Sequence, residues 1–308
     1  MKRSNTVQKS SFFKKKNRWD NISAYLFLSP ALLGFTIFIA LPIIATFALC
    51  FFDYNIIQPP DFVGLDNFKE FFRDPNTPIS FGNTFKFLVI FTPMHCILGL
   101  ILAYAVYRIR HGRLRNVIRG IVYFPSIVTT ASVAIIFVQM FATDTGFINY
   151  YVRQLGMNNI PWLTDSNLVY LTLAIFSFWK FIGTTFLYYF IGLNNVPESY
   201  YESASIDGAN TFQIFTRITV PLITPTIFFV VVTNMIGVFQ TFDEPSLITN
   251  GGPGTATRTV ALQIYRTAFQ SNQFGYGATF AFVLFLIIMV VTIIQYVGQK
   301  KWVVYDYE

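Results

Sequence analysis

The sequence predicts an all-α polytopic membrane protein with six transmembrane helices, and three observations carry that prediction. The 308 residues are 54% hydrophobic and only 12% charged, where a soluble domain carries about 25% charge. Six apolar runs, at 23–52, 85–107, 121–141, 168–193, 222–248 and 276–297, each reach the roughly 20 residues a helix needs to cross hydrocarbon. None alternates strictly in polarity, so these runs are helices, which satisfy their own backbone groups, and not barrel strands. Finally, fifteen of the twenty-two basic residues fall on one side of that pattern. The positive-inside rule then puts both termini in the cytoplasm.

The chain divides into a basic tail at 1–21, one membrane domain at 22–299 and a second tail at 300–308. Lys2, Arg3, Lys9, Lys14, Lys15, Lys16 and Arg18 crowd the first tail. The run that follows is too long for a signal-peptide core, and no small-residue cleavage site follows it. The net charge of +7 therefore reports topology and contact with anionic lipid, not a nucleic-acid surface. Within the first span, Pro30 and Pro42 each remove a helix donor and predict bends. The outer segment after it holds an amphipathic piece at 67–72 that suits the membrane surface. A basic inner loop, RIRHGRLRNVIR, joins spans two and three, and GFINYYVRQLG beyond span three reads as a short interfacial helix. Cys50, Cys96 and His95 lie inside spans, which argues against a disulfide or a metal site.

The loop at 195–220 is more than a tether. Pro197 and Glu198 suit the first turn of a helix. Gly208 offers the left-handed conformation that closes one. Asn210 and Gln213 have the spacing of a capping box for a second helix over about 211–219, and Pro221 opens span five. Ser203, Ala204 and Ser205 are small enough for another surface to approach closely. Glu202 could pair with an arginine of a partner, and Asp207 could fix the turn. By these residues alone the loop is either a stiff lever for a cytoplasmic partner or a helix that packs under its own bundle.

Glu202, Ala204, Gly208, Ile218 and Pro221 resemble the EAA signature of the membrane subunits of binding-protein-dependent ABC importers, with Ser203 and Val220 as mild departures at intact spacing. FVGLDNFKEFF, YFPSIV, PWLTD, ITNGGPG and FGYGATFAFVLFL, in this order, are similar to sugar-type permeases of that family over nearly the whole chain. The resemblance implies the type I ABC importer permease fold. It implies a sugar importer, for an oligosaccharide, in the bacterial cytoplasmic membrane, with this chain forming half of the path as a heterodimer with a second homologous permease. Two ATP-binding subunits and an extracytoplasmic solute-binding protein complete the assembly. It implies that Glu202, Ser203, Ala204, Asp207, Gly208, Ile218 and Pro221 couple to the ATPase. No phosphate-cradling G-x-x-x-x-G-K-[ST] loop and no catalytic cluster occur in the sequence. The chain is therefore expected not to be an enzyme and to hold no cofactor, ATP and Mg belonging to the partner subunits.

Under the family plan, spans four to six line the path. Lys180 sits mid-span, where an ionisable group is costly and faces the interior, either lining the path or pairing with an acid. Asn234, Val238 and Thr241 share one helix face, and Gln240 adds a further amide. Phe239 and Trp179 are candidate stacking surfaces for a sugar. The same polar groups could instead hold helices together. Asn250, Gly251, Gly252 and Pro253 of the outer loop are expected, by resemblance, to meet the binding protein. An ion-coupled secondary carrier is the alternative. It calls for inverted repeats and mid-membrane carboxylates, whereas Asp243 and Glu244 lie near the outer end of span five.

Overall fold

The computed structural model describes residues 18–304, so most of the basic tail and the last four residues lie outside the described residues. The first span is α1 (Arg18–Phe35) and α2 (Leu41–Leu49), joined through a π-helical turn at Thr36–Ala40. Pro42 cannot donate, and its ring presses on the carbonyl four residues back; the wider π turn makes room for it. Pro30, by contrast, lies within a continuous α1. No residue between 25 and 49 is buried in this chain. A two-residue antiparallel ribbon, Phe52–Asp53 against Asp61–Phe62, leads to α3 (Asp66–Arg73), the amphipathic piece expected there. Asn67 on α3 donates to the carbonyls of Cys50 and Phe52 at 3.0 and 2.9 Å, fastening the outer segment to the end of span one.

Span two, α4 (Asn76–Tyr107), starts nine residues before the predicted 85. Asp74 explains the extension: its Oδ1 accepts from the Asn76 amide at 2.8 Å, capping a helix that hydropathy alone does not see. Span three differs most from expectation. The predicted single helix is two, α5 (Gly112–Ile127) and α6 (Thr130–Met140), bent by 93° at their junction. α7 (Phe147–Gln154) is the expected short helix, and α8 (Leu168–Asn194) is span four. Asp165 accepts from the amides of Leu168 and Asn167 at the start of α8, and these bonds hold its carboxyl below the usual carboxylate range.

The loop contains α9 (Glu198–Ile206) and α10 (Thr211–Ile214), then a π turn at Phe215–Thr219 and α11 (Val220–Leu222). Span five, expected as one helix over 222–248, is α12 (Thr224–Phe239) and α13 (Asp243–Leu247), with a non-helical interruption at 240–242. In a continuous helix the residue at 245 would donate to the Thr241 carbonyl, but Pro245 has no N–H to give. The Thr259 hydroxyl takes that carbonyl instead, at 2.8 Å. α14 (Val260–Tyr265) and α15 (Phe274–Gly298), the sixth span, complete the bundle.

Two apolar clusters fill the bundle. One packs Phe71, Phe87, Phe91, Phe176, Val238 and Phe280. The other packs Ala103, Phe186, Tyr189, Leu193, Ile223 and Val230. On α4, α8 and α12 the polar residues fall between these clusters: His95 on α4, Ser177, Lys180 and Thr185 on α8, Asn234 on α12. A polar belt therefore crosses the bundle between the two apolar clusters.

Candidate functional site

A cavity of about 450 Å³ opens at this belt, between α8, α12 and the interruption that precedes α13. Its place follows from the backbone. Non-helical chain at membrane depth is tolerated only inside protein or beside a water-filled space, and the stretch 240–242 is such chain. Asn234 and Val238 reach the cavity from α12, Gln240 and Thr241 from the interruption, and Thr184 and Tyr188 from α8. Four of the six residues expected along a path thus meet here. Phe239 does not: it points into the apolar cluster, 7% exposed. Trp179 packs against Phe137 on α6 and likewise does not line the cavity. The aromatic walls are Phe181, Tyr188 and Phe242.

Lys180 is also elsewhere. It is 2% exposed, and its ammonium donates to the carbonyls of Pro125, Ser126 and Val128 at 2.9, 3.2 and 2.6 Å. These are carbonyls that the end of α5 leaves without helical donors. The partners of this intramembrane cation are therefore the carbonyls of the broken span three; among the described residues no acid lies within salt-bridge distance of it, and Asp243 acts on it only as a nearby charge. Ser126 returns a bond to the Lys180 carbonyl at 3.1 Å. Gly183, one turn on, lets the two helices meet: a Cβ there would lie 2.6 Å from Ser126 Oγ and 2.8 Å from the Val122 carbonyl.

Of the cavity residues that the sequence did not place on a path, three form a bonded row. His95, on α4, lies with Nδ1 3.2 Å from Asn234 Oδ1 and Nε2 3.4 Å from the Ser177 hydroxyl. Ser177 is also 3.3 Å from Glu244 Oε1. Asn234 Nδ2 donates to the Val230 carbonyl at 2.9 Å, which turns its oxygen toward the imidazole. A chain of bonds thus links α12, α4, α8 and α13 across one wall. Glu244, read from sequence as near the outer end of its span, is 5% exposed at the cavity. The signal available for it was Asp243-Glu244-Pro245, acids and a proline in the pattern of a helix start.

The loop residues form a second assembly. Gly208 has φ +77°. The Ala209 amide reaches the Ala204 carbonyl at 3.0 Å, and the Gly208 amide reaches Ser205 at 3.2 Å, which together close α9 in a Schellman motif. Asn210 and Gln213 make both bonds of a capping box, at 2.9 and 2.8 Å. Pro197 precedes α9 as its cap with Glu198 first inside, one position earlier than the sequence suggested. Glu202, Ser203, Ser205 and Asp207 are exposed, and Glu202 makes no ion pair among the described residues. Ala204, expected on an outward face, turns toward the bundle at 7% exposure. Ile218 and Pro221 are half-buried along the π turn and α11. Ile206 and Phe212 are 87% and 74% exposed on either side of the glycine turn.

At the opposite end, Asn250 is exposed, and its carbonyl and side-chain oxygens accept from Arg266 at 2.7 and 3.1 Å. Gly251 is buried, and Gly252 and Pro253 are half-buried.

Comparison with known proteins bears on both assemblies. Residues 96–303 match the model of the binding-protein-dependent transport system inner membrane component. The probable ABC transporter permease protein YesP of Bacillus subtilis (strain 168) is 35% identical over 94% of each chain. The arabinooligosaccharides transport system permease protein AraP of the same organism is 30% identical over 92% of this chain and 89% of its own. A chain of a bacterial alginate ABC transporter, solved in complex with an alginate pentasaccharide-bound periplasmic protein, superposes with a TM-score of 0.81 at 22% identity, over 92% of this chain and 97% of that one. The fold is that of a type I permease. The chain belongs to the family of binding-protein-dependent transport system inner membrane components, integral membrane transport subunits and not enzymes.

Proposed function

We propose that this chain is half of the translocation path of an ATP-driven importer for an oligosaccharide, moved by a separate ATPase through the loop at 195–220. The observation that carries the reading is the build of that loop. α9 and the Gly208 turn are locked by backbone bonds and the start of α10 by the two side chain–backbone bonds of its capping box, and α10 runs through a π turn into α11 and span five. Such an element transmits a displacement instead of absorbing it. Its outward side offers Glu202, which makes no ion pair among the described residues, and two bare apolar side chains, Ile206 and Phe212. An aqueous loop keeps apolar groups exposed at a cost unless a partner covers them.

In this reading Glu202, Ser203, Asp207 and Gly208 meet the ATP-binding subunit, and Ala204, Ile218 and Pro221 tie the lever to the bundle. Closure of the ATPase, which holds ATP and Mg, moves α12 and with it Asn234 and Val238 on the cavity wall. Hydroxyl and amide groups with aromatic faces suit a saccharide. The arabinooligosaccharide relative supports the substrate class, and the alginate transporter with its periplasmic protein supports delivery by a solute-binding protein to a face that includes Asn250, Gly251, Gly252 and Pro253. A second permease forms the other half of the path, in the cytoplasmic membrane with both termini inside. The switching follows population-shift logic, in which each partner favours one of two arrangements.

The test is ATPase activity of the assembled complex in nanodiscs, stimulated by sugar-loaded binding protein. Glu202→Lys with Gly208→Pro should abolish stimulation while the complex stays assembled. Equal stimulated rates in the assembled variant would return the loop to a structural connector.

A further inference from the structure

The charge of the cavity wall bears on which saccharides it admits. Asp243 and Glu244 both line it, at the start of α13. A uronate carboxylate in a cavity of about 450 Å³ would stand close to both. It would need a cationic donor, and the nearest cation, Lys180, whose charge already interacts with Asp243, has no N–H to spare. Lys180 carries three N–H donors, and three backbone carbonyls already take them, at 2.9, 3.2 and 2.6 Å. His95 has Nδ1 committed to Asn234 and Nε2 against Ser177. Among the described residues no lysine or arginine lines the cavity. What the wall offers is uncharged: the hydroxyls of Thr184, Thr233 and Thr241, the phenol of Tyr188, the amide of Gln240 and the face of Phe181.

We propose that Asp243 and Glu244 make this cavity selective for uncharged oligosaccharides and closed to acidic ones. The proposal rests on the reading of the cavity as a sugar path and adds the charge class of the sugar. Rejection here is by repulsion and by the absence of a pairing cation, the negative side of specificity. Hydroxyl-rich chains meet no such barrier.

The test uses the complete transporter in nanodiscs without its binding protein, so that the binding protein's own selectivity does not enter. Equilibrium dialysis measures binding of labelled neutral trisaccharides (maltotriose, arabinotriose and xylotriose) and of trigalacturonate. At least one neutral trisaccharide should bind the wild type at least about tenfold more tightly than trigalacturonate, where tenfold is 1.4 kcal/mol. In Asp243→Asn/Glu244→Gln the ratio of uronate to neutral affinity should rise at least about tenfold, and Asp243→Asn alone should move it in the same direction. Thermal unfolding of each variant identifies any that fails to fold, and the single variant keeps the ratio measurable if the double one does. Equal binding of uronate and neutral sugar to the wild type overturns the proposal. An unchanged ratio in folded variants removes the two carboxylates as its cause. If no trisaccharide of either kind binds, the sugar-path reading itself falls, a different outcome from loss of charge selectivity.

Discussion

Lys180→Met tests the claim that an intramembrane cation here serves the backbone and not the cargo. Methionine keeps most of the side-chain volume and deletes the ammonium, leaving the carbonyls of Pro125, Ser126 and Val128 without their donor. An unsatisfied buried polar group costs about 1–3 kcal/mol, so three cost on the order of 3–9. Against this, the variant no longer holds an ammonium out of water, a relief of several kcal/mol. The terms oppose each other, and the net expectation is destabilisation of about 2 kcal/mol, concentrated at the junction of α5 and α6. Hydrogen exchange should rise over 125–132 while α12 stays protected, and the unfolding midpoint in detergent should fall. Unchanged exchange and an unchanged midpoint would refute the clamp. Loss of transport with both unchanged would place Lys180 in the path after all.

Three further outcomes follow from the same structure. Gly183→Ala forces a methyl group to within 3 Å of Ser126 Oγ and the Val122 carbonyl, an overpacking cost of about 1–3 kcal/mol that thermal unfolding should detect. Gly208→Ala meets no atom within 4 Å but keeps φ +77°, so it should cost about 1–2 kcal/mol of left-handed strain. That strain should appear as faster exchange confined to α9 and α10. Asp165, held below its ordinary pKa by the amides of Leu168 and Asn167, caps α8 at pH values above about 4. The cap is lost as pH falls through its lower folded pKa. NMR shifts of those two amides should titrate below the ordinary carboxylate range, and Asp165→Ala should abolish the transition.

The parts of this structure that were legible in sequence are those written locally. The loop is the clearest case: Gly208 closes α9, and Asn210 with Gln213 opens α10, because each signal acts on backbone within five residues of itself. Span positions were legible because hydropathy integrates over a whole helix. Hydropathy reports neither direction nor backbone bonding, which is why span three, with its 93° bend, and span five, with its interruption, both read as single helices. Their breaks involve Pro245, the Thr259 hydroxyl and the Lys180 ammonium, the last two arriving from other helices. The wall of the cavity was half legible. Asn234, Val238 and Thr241 are spaced along one segment, whereas His95, Ser177 and Glu244 come from three elements up to 82 residues apart along a single bond. Phe239 was misplaced for a related reason: with the helix ending there, it turns into the core while Gln240 and Thr241 leave the helical path.

The interruption at 240–242 makes span five two rods instead of one. A continuous helix hands any tilt at one end to the other; two rods on a joint need not. The inner rod, α12, is the continuation of α10 and α11, while the outer rod, α13, is anchored by the Gly251 amide on the Pro245 carbonyl at 2.8 Å and by Ser177 on Glu244. Under the proposed coupling, movement delivered from the loop would shift Asn234 and Val238 relative to Glu244 at the expense of the Asn234–His95–Ser177 bonds. The dimension this chain can alter without losing helical bonds is the width of its own cavity, and a spin-label distance between α12 and α13 that stayed constant through the ATPase cycle would show the joint to be rigid.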